Sequence, residues 1–180
     1  MTGSSLRATR HDSALKHATG QALYIDDMAE PPGTLHGALV LSPVASGRLR
    51  KLDLSAAATS AGVVAVLAAG DIPGRNDVAA VGQGEPLFAT DRVEFAGQTL
   101  AMVVATSLDA ARHAADRAVI DIEEDEAILD IETALAKKAY VQVPSTLLRG
   151  EPEQALVSAP HKLSAEFQVG GQEHFYLEGQ

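Results

Sequence analysis

The chain has 180 residues, 46% of them hydrophobic and 21% charged, enough for one ordinary core or for one small core and the start of another. Its net charge of −10 lacks the basic face that nucleic-acid binding calls for, and no apolar run approaches membrane-spanning length. There is no cysteine, which excludes disulfides, thiolate-held iron–sulfur clusters and a cysteine nucleophile within these residues.

Residues 1–10 are polar and slightly basic and are expected to form a flexible start. Asp26-Asp27 follows a short apolar run and predicts a turn closed by an Asx hydrogen bond. Leu35 to Leu41 reads as a buried strand, and Arg48 to Leu54 alternates like another. Ser55 is placed to cap a short helix over Ala56-Ala57-Ala58 that closes before Gly62. Val63 to Leu67 is a compact β-branched strand, and Gly70-Asp71-Ile72-Pro73-Gly74 then turns the chain. Gln98 to Thr106 is a second strongly apolar strand. Ser107 opens a helix with Leu108, Ala111, Ala114, Ala115 and Ala118 on one face and Asp109 in its first turn, where it suits the helix dipole. Val119 to Ile122 returns as a strand. Strand–helix–strand thus occurs twice, over Arg48 to Leu67 and over Gln98 to Ile122, which suggests two related halves in an α+β (mixed α/β) fold.

From Lys137 to about Ala159 the chain holds Pro144, Gly150 and Pro152 with little periodicity, the signature of a linker. His161 to Phe167 then alternates like a strand leading into Gly170. The expected organisation is a flexible start at 1–10, a domain over 11–136, a linker over 137–160, and the beginning of a second domain over 161–180.

Most candidate sites within the first domain have ordinary explanations. Gly82-Gln83-Gly84 has Leu87 where a dinucleotide fingerprint needs glycine, so it reads as a loop. His36 and His113 are isolated, and His11 and His17 are six apart, a poor metal spacing. The acidic run Glu123-Glu124-Asp125-Glu126 lacks the glycine punctuation of a calcium loop and reads as a solvated strand end. No serine lies in a Gly-x-Ser-x-Gly elbow.

The segment from Gly170 to Gln180 carries the most chemistry. Gly170 and Gly171 lack Cβ atoms and allow close backbone approach, Gln172 offers two amide donors and an acceptor, and Glu173 and His174 suit acid–base or metal chemistry. Phe175, Tyr176 and Leu177 suit anchoring on an apolar core. On residue types alone, a glycine turn entering a strand with Glu173 and His174 solvated competes with a ligand site.

Gly170-Gly171-Gln172-Glu173-His174-Phe175-Tyr176-Leu177-Glu178 resembles a segment of the molybdenum-binding subunit or domain of xanthine dehydrogenases and their aldehyde oxidase relatives. The likeness continues through His11-Asp12-Ser13-Ala14, Thr19 to Asp27, Gly33 to Ser42, Gly62 to Leu67, Asp71 to Asp77, Glu85 to Ala89 and Val93 to Gln98, so it covers roughly residues 10 to 180 in order. It implies an α/β hammerhead domain at the front, followed by the first strand of a molybdenum-cofactor-binding domain. It implies that Gln172 stands beside the molybdenum, hydrogen-bonding an oxygen there without ligating the metal, and that Gly170 and Gly171 allow close approach of the cofactor. Glu173 and His174 are not expected to be catalytic, because strand alternation turns at least one of them away.

The implied activity is oxidative hydroxylation of hypoxanthine or xanthine to urate, with water as the oxygen source. Electrons would pass from molybdenum–molybdopterin through iron–sulfur clusters and FAD, held on a partner chain or domain, to NAD. The implied assembly is a cytoplasmic hetero-oligomer with an iron–sulfur/FAD subunit, without nucleic acid or membrane. In such enzymes the catalytic base and substrate clamps lie further along the chain, so no catalytic residue and no turnover are expected from these 180 residues alone. Two alternatives stay open: a related molybdenum hydroxylase for aldehydes or other N-heterocycles, and a truncated, non-catalytic module that docks on partner subunits.

Overall fold

Short apolar runs bounded by glycine, proline or charged residues set the strands of this chain. The computed structural model describes residues 11–80 and 84–172. One compact unit spans Pro32–Thr146, and the described residues on either side of it group apart from it. The boundary expected near residue 136 falls inside this unit.

Within the unit, β1 (His36–Leu41), β2 (Gly47–Asp53), α2 (Ser55–Ala58) and β3 (Val63–Ala68) are followed by β4 (Arg92–Val93), β5 (Thr99–Ala105), α3 (Leu108–Ala115), β6 (Val119–Glu124) and α4 (Ile131–Lys137). Ahead of it lies α1 (Ala14–Thr19), and behind it α5 (Pro152–Ser158). The strands form two three-stranded antiparallel sheets, ordered β1-β5-β3 and β4-β2-β6.

This topology gives the duplicated strand–helix–strand pattern a physical form. β2–α2–β3 and β5–α3–β6 each place one strand in either sheet. The first strand of one unit pairs with the second strand of the other, as β2 with β6 and β5 with β3. The helices α2 and α3 pack on each other and on the β1-β5-β3 sheet. Leu100 and Val103 of β5 and Val93 of β4 are the largest fully buried side chains, joined by Val40, Ala57, Ala101 and Ala114. Full burial of each Val or Leu stabilises by roughly 1.5–3 kcal/mol, so β5 contributes heavily to holding the unit together.

The two sheets differ in their second faces. In β2 and β6, half-buried Leu49, Leu52, Ile120 and Ile122 alternate with exposed charged residues, and Arg48 stands opposite Glu123 and Lys51 opposite Asp121. That is the pattern of a sheet with one solvated face, where opposite charges across strands add a little stability. β5 has no such polar alternation.

Several expectations need correction. Ser55 is the first residue of α2 rather than its cap, and its N–H and hydroxyl both donate to Asp53 Oδ1 (3.1 and 2.6 Å). The stretch from Lys137 to Ala159 contains α5, because Pro152 sits where a helix starts and a proline costs nothing there. The strand expected over His161 to Phe167 does not form among the described residues. Residues 161–172 carry no strand, and Leu163, Phe167 and Val169 are exposed. Alternation alone cannot make a strand without a neighbour to receive its N–H and C=O groups, and none of the described strands pairs with this stretch.

Gly47 is fixed by close approach. A Cβ there would lie 2.6 Å from both the Glu123 carbonyl oxygen and Ile122 Cγ2, at the point where β2 meets both β4 and β6. At Gly37 an added Cβ would meet only the mobile tip of Met102. Gly47→Ala is therefore expected to cost about 1–3 kcal/mol in urea unfolding, and Gly37→Ala distinctly less. Equal costs for the two would show that the backbone contact at Gly47 is not limiting.

Candidate cofactor-binding site

The chain reaches its glycine pair through α5. Lys162 Nζ donates to the Val157 carbonyl (2.7 Å) and Ser158 Oγ to the Gln154 carbonyl (2.9 Å), which ties the end of the helix to the chain that follows. From Leu163 to Gln172 the backbone is irregular, and Gly170, Gly171 and Gln172 are all exposed. Nothing lies within 4 Å of where a Cβ on Gly170 or Gly171 would stand. Glu173, His174, Phe175, Tyr176 and Leu177 lie outside the described residues, as do Gly82 and Gln83. The described part of the predicted site is thus a Cβ-free, accessible backbone followed by one neutral amide. That donor set suits a hydrogen bond to a polar group on a cofactor. Among the described residues, no three His, Asp or Glu side chains gather to hold a metal ion.

The other candidates settle into local roles. Glu123 pairs with Arg50, Asp125 with Arg92, and Glu126 with Lys137 (2.8 Å), so the acidic run is a strand end bonded to three cations. His113 lies exposed on α3, and His36 lies in β1. The rings of His11, His17 and Tyr24 follow one another at tilts of 59° and 57° with centroid separations of 6.2 and 6.1 Å, and Tyr24 Oη is 3.4 Å from His17 Nδ1. Asp26-Asp27 does form a turn, in which the Asp27 carboxylate accepts the Tyr24 N–H (3.0 Å). An open cleft of about 670 Å³ lies between β4 and the segment around α4. It is lined by Arg92, Phe95, Ile128, Leu129, Tyr140 and Val141 among others, and is mostly apolar.

A feature missed in the sequence is the loop that joins β3 to β4. Asn76 Oδ1 accepts the Phe88 N–H (3.0 Å), and its Nδ2 donates back to the Phe88 carbonyl (2.6 Å). Asp77 accepts the N–H groups of Ala79, Gly84 and Glu85 (3.0, 3.0 and 3.3 Å). Two adjacent side chains thus stand in for a strand and gather a long irregular loop. Beyond it, the Phe95 carbonyl accepts the Gln98 N–H with Gly97 at φ +86°, a turn that asks for glycine. Buried Gln98 then accepts the Glu94 N–H (2.8 Å). The signal was present as Asn-Asp and Gly-Gln beside proline and glycine, residue types that bond to backbone.

Residues 19–126 match the family described as aldehyde oxidase and xanthine dehydrogenase, a/b hammerhead domain. The chain belongs to that family. Xanthine dehydrogenase 1 of Arabidopsis thaliana is 42% identical over 93% of this chain and 13% of its own length. Aldehyde oxidase 3 of Mus musculus is 38% identical over 97% of this chain and 13% of its own length. Among solved structures, the aldehyde oxidoreductase of Desulfovibrio gigas superposes with a TM-score of 0.64 at 31% identity, over 72% of this chain and 15% of that one. The chain therefore spans about an eighth of the length of the curated relatives it matches. Its family consists of molybdenum–molybdopterin oxidoreductases that generally work with iron–sulfur and flavin components. No helix among the described residues of this hammerhead chain is long and apolar enough to cross a membrane.

Among the described residues, four carboxyls are held below their ordinary values by hydrogen bonds. Asp53 is lowered from 3.8 to about 2, chiefly by the Ser55 hydroxyl, then by the Ser55 N–H and Lys51. Asp77 is lowered chiefly by the Gly84 and Ala79 N–H groups, Asp130 by the Thr133 N–H and hydroxyl, and Glu126 by Lys137. Each titrates lower folded than unfolded. Their contribution is therefore complete above the ordinary values of 3.8 and 4.5, and is lost as pH falls through the folded ones. Thermal stability is expected to fall from about pH 4.5 down to about pH 2. Asp77→Ala is expected to lower Tm at neutral pH and to flatten that acid decline, as followed by circular dichroism. A neutral-pH Tm equal to that of the parent would mean that the Asp77 bonds do not hold the loop.

Proposed function

We propose that this chain is the front portion of the molybdenum-binding subunit of a xanthine dehydrogenase, in which Gln172 hydrogen-bonds the molybdenum cofactor. The observation that carries the proposal is the likeness to xanthine dehydrogenase, 42% identity over 171 residues and 93% of this chain, beside the resemblance of the Gly170-Gly171-Gln172 segment itself. The complete enzyme would convert hypoxanthine or xanthine to urate, with water as oxygen source and NAD as final acceptor. Iron–sulfur clusters and FAD would lie on a partner subunit or domain, in the cytoplasm. Residues 11–136 would form the hammerhead domain, 137–160 a connector, and 161–180 the start of the cofactor domain.

Each described residue has a defined task in this reading. Gly170 and Gly171 allow the backbone to lie against the cofactor, where any Cβ would hold it off. Gln172 presents amide donors that are neutral at every working pH, so it orients and tunes by hydrogen bonding without adding charge. When bound, the molybdenum cofactor supplies the two-electron oxidation chemistry. Substrate clamping and proton abstraction fall to residues beyond this segment.

A second reading has specific support. Aldehyde oxidase 3 is 38% identical over nearly the whole chain, so the matched residues do not separate a purine substrate from an aldehyde or another N-heterocycle.

Gln172→Ala in the complete enzyme is expected to keep molybdenum content unchanged, to lower kcat about 10- to 100-fold, and to alter the electron paramagnetic resonance signal of the molybdenum. Unchanged kcat together with an unchanged signal would remove Gln172 from the site. Urate formation from xanthine, set against oxidation of aldehydes by the same preparation, separates the two substrate readings.

A further inference from the structure

Every strand ladder of the Pro32–Thr146 unit joins its first half to its second. β1, β2 and β3 all precede the connector from Ala69 to Leu87, and β4, β5 and β6 all follow it. The ladders pair β1 with β5, β2 with β4, β2 with β6 and β3 with β5. Among the described residues, no two strands of the same half are paired. The helices behave alike, since α3 of the second half packs on α2 and β1 of the first. Val40 and Ala57 from the first half meet Val93, Leu100, Val103 and Ala114 from the second in one buried core. Either half standing alone would hold three strands without a ladder and leave their N–H and C=O groups unpaired.

The connector takes no part in this pairing. Among the described residues, Ala69 to Leu87 supplies no strand and no member of the buried core. Two side chains fold it back: Asn76 bonds the Phe88 backbone twice, and Asp77 accepts from Gly84 and Glu85. It is longer than loops inside compact domains usually are, and opened out it reaches roughly 3.3 Å per residue.

We propose that two copies of this chain exchange halves, residues 32–68 of each pairing with residues 88–146 of the other. The partner that the interleaved surface fits is thus a second copy of the chain. The exchanged dimer keeps all four ladders and the core in each of its two units, and alters only the course of the connector. Swapping identical elements is therefore a low-cost route to a dimer here. Opening requires loss of the Asn76 and Asp77 bonds and of the contacts between halves, and concentration then decides whether a half recaptures its own chain or another. Exchange depends on the ladders alone and not on any reading of Gly170-Gly171-Gln172.

The chain has no cysteine, so introduced thiols report strand pairing without interference. Arg48 and Glu123 are exposed and stand opposite each other across β2 and β6. An equal mixture of Arg48→Cys and Glu123→Cys chains is unfolded, refolded together at high concentration and oxidised. The expected product is a two-chain species with disulfides from position 48 to position 123 at least about tenfold in excess over links between like positions, because opposed strand positions meet disulfide geometry. A chain carrying both substitutions, refolded dilute, is expected to close the same link within itself. A mixture that stays monomeric while that doubly substituted chain closes its link would overturn the proposal. So would unlike and like links in statistical proportion, which mark dimers joined through outer faces rather than through β2 and β6.

Discussion

The unit depends on one strand that has no side for water. Leu100, Ala101, Val103 and Ala105 are buried, and Met102 and Val104 are at least partly covered. β5 pairs with β1 on one side and β3 on the other, while α3 lies against it. Everything else is arranged around keeping that strand covered. The turn at Gly97 delivers the chain into it, and Ser107 receives the Ala110 N–H to start the helix that folds back onto it. A polar residue at any inward position of β5 would face α3 without a partner, which costs more than the lost contact alone.

Most of this architecture could be read from the residues. The strands β1, β2, β3, β5 and β6 lie within a residue or two of where apolar runs place them, and α3 starts after its Ser107 cap but ends at Ala115, short of Ala118. Each is decided by contacts along its own length. The failures share a cause. β4 is only Arg92–Val93, too short to show any period, and exists because β2 offers it hydrogen bonds. α4 is started by Asp130, whose carboxylate accepts the Thr133 N–H. The stretch from His161 to Phe167 has a strand's alternation and no strand, since pairing is a property of two segments.

The candidate site shows the same limit more sharply. Glycine, glycine and glutamine state what the backbone and amide can do, but they do not name a ligand. What pointed to molybdenum was resemblance, carried by many segments in order, and the match over residues 19–126 secures the family. Of the predicted site residues, Gly170, Gly171 and Gln172 are accessible and chemically apt. Their task depends on groups this segment does not contain.

The matched segments do not all carry the same kind of information. Asn76 and Asp77 bond the backbone of the 77–88 loop, Gln98 bonds Glu94, Gly97 makes a turn and Gly47 admits two neighbouring strands. Each has a complete physical explanation inside the hammerhead unit, so the likeness there marks architecture. Gly170 and Gly171 stand in open space with no atom within 4 Å of an added Cβ, as do Gly70 and Gly74 of the hammerhead unit. Packing therefore does not single out Gly170-Gly171-Gln172; the functional reading of that segment comes from its resemblance to the molybdenum-binding segment of xanthine dehydrogenases.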